Sequence, residues 1–223
     1  MDRVMALVRL GSLLIAAVAV FVVLRVPPEE AVRQSFAEYK RAVIADDGAT
    51  AAAQLSTATM QWYGKMQDLA LHASKEEVEQ LGPLQKIQVL AFRQRVPADE
   101  LRAMSPRQLV AYSVTHGWVG KVGTERSELG KISPSGSTAV ANVLLGGKDS
   151  GQQYHFVRED GRWLFNQLPT LEASEDSLKA AAVQRGLPMD QFVQSLIESG
   201  SGKKITADLW QPPFPRSDNK GPQ

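Results

Sequence analysis

The stretch HFVREDGRWLFNQLP, His155 to Pro169, decides the fold. Asp160-Gly161 divides it into two runs of strand length. Asp-Gly is a preferred pair for a two-residue type I′ turn, in which both central residues need positive φ. That turn fixes the register: Glu159 pairs with Arg162, Arg158 with Trp163, Val157 with Leu164 and Phe156 with Phe165. Side chains alternate along a strand. One face therefore carries Tyr154, Phe156, Arg158, Trp163 and Phe165, and the other His155, Val157, Leu164 and Asn166. Each cross-strand pair contributes about 0.2–1 kcal/mol, and an exposed Glu159–Arg162 ion pair adds little. The aromatic face is the one a layer of helices would cover.

Upstream, Thr124–Ile132, Ser137–Leu145 and Gln152–Glu159 are also strand-length, separated by the turn sequences SPSG and GGKDSG. With Arg162–Leu168 they form an antiparallel meander. Before Gly120 the pattern is helical. Val32, Phe36, Tyr39 and Val43 recur at helical spacing within Glu29–Asp47. Glu29 and Glu30 suit a helix start, and Gly48 reads as a stop. Ala49–Leu55 is an Ala-rich helix. Thr57–Leu81 reads as one longer helix ended by Gly82-Pro83, and Leu84–Arg95 as a short one closed by Pro97. Ser105 caps Pro106–His116, with Pro106 at the first helical position and Gly117 at the end. After Pro169, Glu172–Gly186 and Leu187–Gly200 read as two more helices. The Pro-rich end reads as a loose tail, with Leu209-Trp210 docked back on the domain.

The amino terminus carries its own signal. Leu10 to Leu24 contains no charged residue, flanked by Arg3, Arg9 and Arg25. A bilayer core of about 30 Å needs about 20 helical residues. Residues 4–26 reach that length if Arg9 and Arg25 snorkel to the interfaces. This predicts a transmembrane helix. The alternatives are a cleaved signal peptide, with Ala17-Val18-Ala19 as the small-x-small site, and a buried core helix. The Arg bias favours the amino end in the cytoplasm and the bulk of the chain outside. The expected organisation is an anchor and linker over 1–28, an α+β domain over 29–170, a helical extension over 171–210 and a disordered tail over 211–223.

Composition sets limits. The 223 residues suit one domain plus appendages. Lys plus Arg number 25 and Asp plus Glu 24, a net charge of +1, which gives no reason to expect a nucleic-acid partner. There is no cysteine, which excludes disulfides, thiol catalysis, Cys-based zinc sites and a lipid-modified Cys.

Helices first, then a meander closing on DGRWLF, resembles the nuclear transport factor 2-like superfamily. The likeness covers roughly residues 29–170. It rests on AVRQSFAEYKRAVIADD with its Ala-rich sequel and on the hairpin VREDGRWLFNQL. The resemblance implies a sheet curled around helices into a cone. It also implies either an isomerase- or dehydratase-like enzyme with a pocket Asp, His or Tyr, or a binding module without catalysis. No family catalytic residue maps onto this chain. The helical region between Thr57 and Gly117 is longer than the family's usual core, and two helices follow the last strand.

Candidate chemistry is sparse. His72 and Glu76, four apart on one predicted helix, could place two metal ligands on one face, but no second His shares that spacing. His116 sits at a helix end, where a cation suits the dipole. His155 lies mid-strand beside Asn166, opposite the aromatic face; a general base would need a partner and a dry pocket there. Asp46-Asp47 reads as a solvent-facing helix end. Gly200–Lys204, GSGKK, lacks the first glycine and the Ser/Thr of a phosphate loop. Gly147–Gly151 has the wrong spacing for a nucleophile elbow, and Trp118-Val119-Gly120-Lys121 reads as a helix-to-strand connector. No residue is assigned a catalytic, cofactor or metal role. The reading is an α+β, single-pass protein of a bacterial inner membrane. Its extracytoplasmic, non-catalytic domain binds a protein partner or an apolar ligand, as part of an envelope assembly. The alternative is an envelope isomerase or dehydratase using a pocket His or Asp.

Overall fold

The computed structural model describes residues 26–118 and 121–216. Nearly all of the expected anchor, 4–26, lies outside the described residues, and among these no helix is long and apolar enough to cross a membrane. Seven helices come first: α1 (Pro28–Ile44), α2 (Gly48–Ala53), α3 (Thr57–His72), α4 (Lys75–Glu79), α5 (Pro83–Arg95), α6 (Ala98–Ala103) and α7 (Pro106–Thr115). A short α8 (Lys121–Arg126) leads into strands β1 (Ser127–Ser135), β2 (Thr138–Leu145), β3 (Lys148–Glu159) and β4 (Arg162–Asn166). Then come α9 (Leu168–Gln184), α10 (Met189–Ser201) and a 3-10 turn (Ala207–Trp210). The strands form one antiparallel sheet in the order β1-β2-β3-β4. The class is α+β.

The β3–β4 hairpin follows the expected register at all four pairs. Asp160 and Gly161 take φ of 48° and 80°, as a type I′ turn requires. The aromatic face is covered by α1, with α2 and α7 packed in the same core. Val32, Phe36, Tyr39 and Val43 bury the inner face of α1 against Phe156, Trp163 and Phe165. Phe156 and Phe165 stack at 5.3 Å, and Phe36 meets both edge-on at 6.4 and 5.8 Å. Such pairs add about 0.5–1.5 kcal/mol beyond area burial.

Each sheet edge is partly covered, which reduces the unpaired groups that invite aggregation. On β4, Phe165 N–H donates to Gln54 O (2.8 Å) and Ser56 N–H to Phe165 O (3.0 Å). On β1, Arg33 of α1 donates to Leu129 O (2.6 Å) and Gly130 O (2.7 Å), and Lys40 to Ser127 O (2.9 Å).

A second core lies among the helices. Met66, Ala70 and Leu71 of α3 pack with Val89, Leu90 and Phe92 of α5, Leu101 of α6, Leu109 of α7, and Val193 and Ile197 of α10. Tyr63 of α3 packs on both cores.

Several expected boundaries differ. Thr57–Leu81 is two helices: Ser74 and Glu77 form a reciprocal capping box that starts α4. Gly48 is not a stop but the first residue of α2. Asp47 caps that helix by accepting from Thr50 N–H (3.0 Å). Gly48 is required because a Cβ there would lie 2.0 Å from Ala111 O of α7. The run from Thr124 starts within α8, where the Ser127 hydroxyl donates to Gly123 O (2.7 Å). The β2–β3 turn is the pair Gly146-Gly147 at φ of 58° and 78°, so the strand already starts at Lys148. Helix α9 starts at Leu168, ahead of the expected Glu172, with Pro169 in its first turn.

Leu209-Trp210 docks on the domain as expected, and beyond it the carboxyl end differs from expectation as far as Arg216. Phe214 N–H donates to Leu71 O (3.0 Å), and the Arg102 guanidinium lies 4.2 Å over the Phe214 ring. Arg216 pairs with Asp68 (2.7 Å) and Glu77 (3.4 Å). Arg93 holds the carbonyls of Leu209 (3.2 Å) and Trp210 (2.9 Å). Proline and polar residues suggested a loose tail, but Phe214 supplies an apolar anchor. Residues 217–223 of that tail lie outside the described residues.

Candidate functional site

Phe36 and Tyr39, one turn apart on α1, face Tyr154 of β3 and Phe165 of β4. Phe36–Tyr154 centroids are 5.5 Å apart, Tyr39–Phe165 5.3 Å and Tyr154–Phe165 4.9 Å. These rings leave a cavity of about 200 Å³, completed by Tyr63 of α3, Thr124 of α8, and Gln167, Thr170 and Leu171 at the start of α9.

Gln167 and Tyr39 of the cavity are tied into the fold. Gln167 Nε2 donates to the Tyr39 hydroxyl oxygen (2.9 Å), and Gln167 N–H donates to Thr59 Oγ1 (2.9 Å). Thr59 is fully buried and hydrogen-bonds in turn with Ser56, the cap of α3, at 3.0 Å. The chain leaving β4 is thus fixed to the start of α3. The Tyr154 hydroxyl is 3.4 Å from Ser127 Oγ. Among the described residues, Thr170 Oγ1 is buried with no hydrogen-bond partner.

Burial disfavours the phenolates. It holds the Tyr39 hydroxyl well above the usual tyrosine value, with the neighbouring Tyr63 adding to the shift. It pushes Tyr63 up to about 12. Both are neutral at physiological pH. Among the described residues, the lining holds no carboxylate, imidazole or ammonium group. A general base works with a pKa near the operating pH, and neutral phenols, an amide and hydroxyls do not supply one. They supply hydrogen-bonding groups and aromatic surface.

The residues singled out in the sequence are scattered. His72 ends α3 and Glu76 lies in α4, beyond the helix break, so they do not share one helical face. His72 Nδ1 donates to Phe214 O (2.7 Å). Among the described residues, no group of three or more His, Asp or Glu side chains could hold a metal. His116 caps α7; it stacks on Tyr112 at 3.8 Å and its Nδ1 donates to Tyr112 O (2.8 Å). His155 pairs with Asn166 and lines a separate groove between β3 and α9, not the aromatic cavity. Asp46 turns the chain at φ 58° and pairs with Lys121. Asp47 is the α2 cap, its carboxyl lowered by the hydrogen bonds from Thr50. Gly202, at φ 68°, ends α10, and Lys204 pairs with Glu198 (3.0 Å). Gly147–Gly151 belongs to the β2–β3 hairpin. Trp118 packs at 5.4 Å against Tyr112, while Val119 and Gly120 lie outside the described residues.

Sequence reasoning placed Tyr39 and Tyr154 on faces turned to the core and did not see that they share one cavity with Tyr63. Gln167 and Thr170 went unnoticed; their only signal is a polar pair straddling Pro169. Comparison with family models, with curated proteins and with solved structures finds no match.

Proposed function

We propose that the protein is a binding module held at a bacterial inner membrane. Residues 4–26 are its single-pass anchor. The domain lies on the extracytoplasmic side, has the cone-like form of the nuclear transport factor 2-like superfamily, and is non-catalytic. It takes a small apolar ligand or a segment of an envelope partner protein. The observation that carries this reading is the chemistry of the aromatic cavity: five rings, an amide and two threonine hydroxyls, with no charged group among the described lining residues. An isomerase or dehydratase has less support, because His155 lies outside that cavity.

Crosslinking in intact cells followed by pull-down of the full chain tests the reading. It predicts a captured envelope protein, or a co-purifying apolar molecule, lost in Thr170→Phe, which fills the cavity. A partnerless, ligand-free monomer would refute it. Protease added to intact spheroplasts checks orientation: the domain is degraded in this account, and full protection contradicts it.

A further inference from the structure

A second cavity, of about 270 Å³, lies between α5, α7 and α10. Tyr63 borders both cavities. The walls here are Ile87, Ala91 and Phe92 on α5 and Leu196 and Ile197 on α10, with Trp118 beyond α7. Trp118 is fixed in place: its N–H donates to Ser113 O (2.9 Å), and its ring meets Tyr112 at 5.4 Å and His116 at 5.7 Å.

One charge enters this apolar space. The half-buried Arg95 guanidinium lines the cavity and lies 5.4 Å over the Trp118 ring. Arg93, two residues earlier, donates to five backbone carbonyls. Arg95 has no hydrogen-bond or ion-pair partner among the described residues. Burial lowers its pKa from the ordinary arginine value. A cation taken from water without a partner costs free energy. Its planar fork matches a carboxylate with two parallel hydrogen bonds.

We propose that this cavity binds a small amphiphile with an apolar tail and a single carboxylate head, the head pairing with Arg95 and the tail lying between α5 and α10. At about 30 Å³ per water-sized group the space holds roughly nine non-hydrogen atoms, about one fewer than octanoate has, so octanoate fills it with its head at the mouth. The site is distinct from the aromatic cavity, whose described lining carries no charge, and the proposal stands whatever that cavity binds.

The test is calorimetric titration of the full chain in nanodiscs, with empty nanodiscs subtracted. Octanoate binds saturably at one site, and octanol and octylamine bind at least about tenfold more weakly, the worth of one charge-assisted hydrogen bond. Arg95→Met abolishes the preference for octanoate over octanol, Arg95→Lys retains part of it, and Ala91→Leu, which fills the cavity and keeps the charge, weakens octanoate binding. A leucine dipeptide with a free carboxyl group, run in parallel, separates a fatty acid from a peptide terminus as the source of this chemistry. The tighter binder names the source, and either supports the site if binding depends on Arg95. Equal affinity for octanoate and octanol in the unmodified chain overturns the proposal without any variant. So does the absence of saturable binding by either carboxylate, or octanoate affinity unchanged in a folded Arg95→Met protein.

Discussion

The two cores of this protein are held by different means. The sheet core is a matter of rings and alternation: Phe36, Tyr39, Phe156, Trp163 and Phe165 fill the space between α1 and the strands. The helical core has fewer fully buried rings and depends on side chains that reach across the sequence to close helix ends. Arg93 donates to Leu69 O, Ala70 O and Ala73 O at the end of α3, and to Leu209 O and Trp210 O of the carboxyl-terminal segment. Buried Gln67 donates to Leu101 O (2.6 Å) and Met104 O (2.7 Å) around the end of α6. Buried Lys86 donates to Glu79 O (3.0 Å) and pairs with Asp190. The last carbonyls of a helix have no partner within it, and here cations and an amide serve them. Packing specifies one half, and backbone satisfaction specifies the other.

This contrast makes separable predictions. Phe156→Ala removes the ring at the centre of the sheet core and is expected to cost about 3–5 kcal/mol. Denaturant unfolding measures it, and hydrogen exchange should show β2–β4 losing protection before α5. Arg93→Met strands buried carbonyls and is expected to cost on the order of 3 kcal/mol. Its signature is the reverse: Ile205–Arg216 becomes open to limited proteolysis while the sheet keeps its amide protection. If each variant loosened both halves equally, the two cores would be one cooperative unit and the contrast would fail. Ser74→Ala deletes the capping box and is expected to cost about 1 kcal/mol, with exchange rising locally in α4.

The smallest effect is acid-dependent. Glu198 accepts hydrogen bonds from Gln194 (3.0 Å), Ile205 N–H (2.9 Å) and Lys204 (3.0 Å), which lower its carboxyl to about 2. A depressed carboxylate contributes stability that is complete above its unfolded value, about 4.5, and is lost as pH falls towards 2. Limited proteolysis after α10 should increase across that window, and Glu198→Gln should remove the pH dependence.

What could be read from the sequence follows the same division. The β3–β4 register was legible because turn chemistry and alternation are local: Asp160-Gly161 and the four pairs around it need no distant information. The face of α1 was legible through Val32, Phe36, Tyr39 and Val43. The break after His72 carried a signal, Ser74 three residues before Glu77, that the reading of Thr57–Leu81 as one helix passed over. The aromatic cavity was not legible, because Tyr39 and Gln167 are 128 residues apart. Arg93 was hidden too. In one dimension it is a surface cation at the end of an amphipathic helix, and its role exists only once α3 and Leu209-Trp210 arrive beside it.

The central claim is that the cavity between α1 and the sheet is a neutral, aromatic binding space. Ultraviolet titration of the tyrosines in the full chain tests it most directly, with Tyr39→Phe and Tyr63→Phe assigning the signals among four tyrosines. The account predicts that Tyr63 ionises only at about pH 12, and Tyr39 no earlier than Tyr63. A cavity phenol ionising near neutral pH would place a base in that space and contradict the account.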